Sequence, residues 1–86
     1  MSQYGELTEA LAEMNPEALL ADGFEQALIG YTSNHHHPHV AIYDAKKCIA
    51  ILVQRDGMTE EGAEEFFSFN TLGAYVGESG PLFMWT

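Results

Sequence analysis

Four histidines, His35, His36, His37 and His39, are the densest set of potential ligands in this chain. Imidazole binds zinc, nickel or copper, and alternate residues of an extended segment point to one side, which selects His35, His37 and His39. A structural zinc site, however, needs about four ligands, commonly drawn from separate parts of a fold. Here the histidines are local, inside SNHHHPH, and no Cys-x-x-Cys pair accompanies them. A solvated polar loop is the expectation, with no cofactor. A small metal-binding module built on His35, His37 and His39 is the alternative.

Cys48 is the single thiol. A nucleophilic cysteine needs an electropositive, partly exposed setting. Lys46 and Lys47 precede it, but helical phase groups Cys48 with Ile49 and Leu52, so it reads as a buried structural residue. Glu60, Glu61, Glu64 and Glu65 form a dense acidic helix face. As catalytic carboxylates they would need differing environments to split their pKa values, and nothing in the sequence supplies that. Gly73 to Gly77 resembles no phosphate loop, since no lysine or Gly-Lys-Ser/Thr follows it, and no seryl nucleophile motif is present. The expectation is a protein without enzymatic activity.

These residues are positioned by the stretch Asp44 to Asn70, which reads as two amphipathic helices and a very short turn. Asp44 is a good N-cap, and Ala45, Cys48, Ile49, Leu52 and Val53 make one apolar stripe. Gly57 stands where a left-handed terminating residue is wanted. Thr59 caps the second helix, Glu60 and Glu61 suit its dipole, and Met58 with Ala63 could form a hydrophobic staple. On that helix Ala63, Phe66, Phe67 and Asn70 are expected to share the core face. Phe69 falls outside that narrow stripe: core packing is the favoured reading of these rings, and a ring left for a partner is the alternative, with Phe69 the one in question.

Before this stretch, Leu7, Ala10, Leu11 and Met14 mark a first helix, broken at Asn15-Pro16. Residues 17–21 read as a short second helix stopped by Asp22-Gly23. Residues 24–32 and 39–43 read as two strands that pair antiparallel across the histidine loop. Residues 71–80 read as a fraying helix end near Gly73 and then a loop. Residues 82–85, after Gly80-Pro81, make a short closing strand. The sum is an α+β fold, a small single domain (1–86) with an N-terminal helix, a β-hairpin, a central helical hairpin and a short C-terminal strand.

Charge bounds the partners. Thirteen acidic residues face three basic ones, for a formal net charge of -10. All three basic residues lie between Lys46 and Arg55. Such a chain is repelled by phosphates, which argues against direct nucleic acid binding and against an anionic membrane surface. The helix-turn-helix look of Asp44 to Asn70 fails on the same ground, since its second helix would carry four glutamates into a groove lined by phosphates. No apolar run approaches the roughly 20 residues of a membrane span, the N-terminal residues have no signal-peptide pattern, and one cysteine suits a reducing compartment.

The segments ADGFEQALIGY and VAIYDAKKCIAILVQRDGMTEEGAEEFFSFNTLGAYVGE, about residues 21 to 83, resemble a family of small uncharacterised acidic proteins encoded by bacteriophages and prophages. The resemblance implies a phage origin and the host cytoplasm as the setting, and it brings no catalytic residues. Together with the acidity, it leads to the expectation of a phage protein that binds and modulates a host protein. An anti-defence or anti-CRISPR-type inhibitor is one example, and a basic nucleic-acid-binding surface is a fitting target. Glu60, Glu61, Glu64, Glu65 and Phe69 are the expected contacts. A structural or self-assembling phage protein is a further alternative.

Overall fold

The computed structural model describes residues 3–33, 36–72 and 77–85. In chain order it contains α1 (Gln3–Met14), a 3-10 turn (Glu25–Ala27), β1 (Leu28–Tyr31), β2 (Ala41–Asp44), α2 (Ala45–Asp56), α3 (Glu60–Phe66) and β3 (Leu82–Met84). A wide π-helical stretch, Phe67–Leu72, continues α3. This is the expected small α+β fold, with three helices on a mixed sheet.

The central helical hairpin forms as its caps dictate. Asp44 ends β2 and starts α2, its Oδ1 accepting from the Lys47 N–H at 3.2 Å. Gly57 adopts φ 67°, the left-handed geometry that lets a helix stop without a Cβ clash. Thr59 Oγ1 accepts from the Gly62 N–H at 3.1 Å and begins α3. Ala45, Cys48, Ile49 and Leu52 are all buried, and Val53 packs against them.

The strands form the order β1-β2-β3. β1 and β2 are antiparallel, as the histidine-loop hairpin requires, with Leu28 opposite Tyr43, Gly30 opposite Ile42 and Tyr31 opposite Ala41. The register slips between Leu28 and Gly30, so Ile29 is an extra residue, a β-bulge. β2 and β3 are parallel, pairing Ile42 with Leu82, Tyr43 with Phe83 and Asp44 with Met84. A parallel pair needs a long crossover, and the α2–α3 hairpin supplies it. The core lies between the sheet and the helices. Tyr43 and Phe67 are its largest fully buried side chains.

Four local expectations are corrected. Residues 17–21 are not helical. Five residues cannot satisfy the orphan N–H groups of a helix start; Asn15 takes those of Glu17 and Ala18 in a local turn, and tertiary acceptors take two more. Leu19 N–H donates to the Ser79 carbonyl (3.0 Å), and Ala21 N–H donates to the Tyr43 hydroxyl oxygen (2.8 Å). Residues 24–32 do not form one strand, because the Glu25–Ala27 turn precedes β1. Gly23 at φ 89° sets that turn. Arg55 holds it, donating Nη1 to the Gly23 carbonyl (2.9 Å) and lying 5.6 Å over the Phe24 ring. The second strand starts two residues later than expected and ends one later, at Asp44, with His39 and Val40 outside it. Finally, Phe66 and Asn70 are exposed rather than on the core face with Ala63 and Phe67. Phe66 is one helical step, about 100°, from the buried Phe67. Gly73, where fraying was expected, lies outside the described residues.

Rings on the same helix thus have opposite roles. Phe67 is fully buried, with its ring edge-to-face on Phe83 (5.2 Å) and on Trp85 (5.9 Å). Phe67→Ala should cost about 3–5 kcal/mol, a large part of what so small a domain has. Phe69→Ala should stay within about 0.5 kcal/mol. Chemical denaturation of both variants checks this split.

Candidate interaction surface

The acidic face is built by helical periodicity. Ala63 and Phe67 point into the core, which turns Glu61, Glu64, Glu65 and Ser68 outward, at the i, i+3, i+4, i+7 spacing of one face. These four residues and Phe69 line one open depression. Phe69 is 79% exposed, more than any other large apolar residue among those described. It lies in the π-helical stretch, a rare geometry that recurs near functional sites. Glu60 is exposed at the first position of α3 and does not line the depression. Four of the five expected contact residues are therefore brought together.

The carboxylates here are exposed and open to water. Such a set can present negative charge, but it lacks the contrast in burial that separates a general acid from a general base. Phe69 beside them adds an apolar anchor to a charged rim, the composition of a protein contact.

Sequence reasoning missed Trp85. It is 56% exposed yet rests its ring on Phe67, at the flank of α3. The signal was in the alternation of LFMW, since residues 83 and 85 of a strand share a face. Phe83 packs under Phe67 and Trp85 follows it to the rim.

The described histidines differ in setting. His36 and His37 are exposed, and His39 is half-buried. His39 Nδ1 donates to the Thr32 carbonyl (2.6 Å), and its ring meets Tyr31 edge-on at 6.4 Å. His35 lies outside the described residues. Among the described residues, no group of three His, Cys, Asp or Glu side chains is placed to hold a metal ion. Among them, too, no helix is long and apolar enough to cross a membrane.

Cys48 is fully buried in the core. Burial pushes its thiol pKa up to about 12, and the nearby Asp44 carboxylate adds to the shift. The reactive species is the thiolate, so the native protein should be inert to a thiol reagent at neutral pH. Labelling should become complete on unfolding. Mass spectrometry with and without denaturant reads this directly, and rapid native labelling would show that the α2 stripe is open.

Comparison with protein-family models, with curated proteins and with solved structures finds no match to this chain.

Proposed function

We propose that this chain is a non-enzymatic interaction protein that binds a basic surface of another protein through the acidic, aromatic face of α3. One observation carries the reading. Phe69 is the most exposed large apolar residue of those described, and it lines one depression with Glu61, Glu64 and Glu65. Charge distribution supports it, because residues 56–86 hold Asp56 and five glutamates with no lysine or arginine. In such a contact the carboxylates steer the partner and set specificity, while the ring supplies desolvated area.

The partner class that fits is a protein with a lysine- and arginine-rich surface, of the kind that ordinarily meets nucleic acid phosphates. The resemblance to phage-encoded proteins makes this a host protein, met in the host cytoplasm and modulated or inhibited by occlusion of that surface. An anti-defence role is one form of it.

Capture from host lysate with untagged chain, followed by binding measurements on the recovered protein, tests the reading. Affinity should fall with added salt. The double charge reversal Glu61→Lys/Glu64→Lys should weaken binding at least tenfold, chiefly through association rate. Phe69→Ala should weaken it through dissociation rate, with folding unchanged. A nucleic acid oligonucleotide should compete. Unchanged affinity in both variants would remove α3 as the contact.

A further inference from the structure

We infer that the α3 face selects arginine over lysine, holding guanidinium groups of its partner on the Phe69 ring and beside the Glu61, Glu64 and Glu65 carboxylates. The inference rests on the α3 contact proposed above and names what that contact reads.

The molecule already grips one guanidinium with a ring and a carboxylate. Arg55 lies over the Phe24 ring, 5.6 Å from its centroid. Its Nε and Nη2 donate to the two carboxylate oxygens of Asp56, each at 3.1 Å. That planar fork is what a guanidinium offers a carboxylate and an ammonium lacks. Lys46 and Lys47, on the same helix, are exposed and form no ion pair among the described residues. The contrast has a physical cause. A guanidinium is flat and weakly hydrated, so its plane lies on an aromatic face while its edge meets a carboxylate. An ammonium is compact and strongly hydrated, and it has no plane to lay on a ring.

The α3 face carries the same two components with no cation of its own. Glu61, Glu64, Glu65, Ser68 and Phe69 line one open depression. Glu65 stands four residues before Phe69, and Glu61 four before Glu65, so the carboxylates climb the helix towards the ring. The Phe69 side chain is largely in solvent and open to a planar group. Phe66, three residues earlier, is a second exposed ring on this helix. All lysines and arginines of the chain lie between residues 46 and 55, and the ion pair among the described residues is Arg55 with Asp56. Charge complementarity therefore calls for a cation from the partner. A carboxylate rim alone would take lysine and arginine alike. The ring beside the rim is what separates them.

Calorimetric titration of the full chain with capped oligo-arginine and oligo-lysine peptides of equal length tests this. The arginine peptide should bind at least about fivefold tighter, the order expected of a cation–π contact. Phe69→Ala and Phe69→Leu should both remove that preference by weakening the arginine peptide, with the circular dichroism and melting of the wild type. Leucine keeps apolar area and lacks the ring, so loss in that variant isolates the aromatic face. Glu61→Lys/Glu64→Lys should weaken both peptides roughly tenfold or more. Equal affinity for the two peptides would overturn the inference and leave the acidic contact standing. So would a preference that survives either Phe69 variant. Binding of both peptides that the glutamate reversals leave unchanged would remove the α3 reading itself, and this inference with it, as would failure of both peptides to bind.

Discussion

Tyr43 is the residue on which the parts of this fold meet. It occupies the middle strand, is fully buried, and stacks on Phe83 of β3 at 5.7 Å between ring centroids. Phe83 in turn meets Phe67 edge-on, so one aromatic run connects β2, β3 and the end of the helical hairpin. The phenol oxygen is not wasted in the core, since it accepts from the Ala21 N–H and ties the segment after α1 to the sheet. A buried hydroxyl without such a partner would be costly. Because these rings hold a three-residue strand parallel to β2, the crossover through α2 and α3 is closed by packing more than by strand pairing.

A second tie is made at the end of α1. Asn15 ends α1 and donates its side-chain amide to the His39 carbonyl (2.8 Å) and the Ser79 hydroxyl (3.2 Å). Three distant segments therefore meet at one side chain. Arg55 does the same for the Gly23 turn, while its other nitrogens engage Asp56. That hydrogen bond holds the Asp56 carboxyl below its ordinary range. Its contribution is thus present at neutral pH and fades as pH falls through the carboxylate range. The three basic residues lie in one helix, and Arg55 is engaged in structure; little positive charge is left to balance the acidic faces.

The chain thereby gathers its carboxylates on the helices, with Phe69 among the α3 set. This follows from packing helices on a sheet, which gives each helix a single buried side.

Much of this was legible from residue order. The caps Asp44, Gly57 and Thr59, the stripe that buries Cys48 and the antiparallel hairpin are local or short-range matters of periodicity and backbone chemistry. Four of the five residues expected to form the acidic contact could be grouped for the same reason, since a helix face is fixed by spacing. What spacing could not decide was where backbone groups find partners far away in sequence. The stretch from 17 to 21 is not helical, and the Ser79 carbonyl and Tyr43 hydroxyl accept the Leu19 and Ala21 N–H groups, which no local pattern carries. Nor could periodicity choose between Phe66 and Phe67, adjacent rings that β3 sorts by accepting only one. Trp85 entered the α3 flank only once β3 was placed parallel to β2. Residue types and spacing determined the elements and their polar and apolar faces. Tertiary pairing decided which of those faces were covered, because burial is a property of what lies opposite.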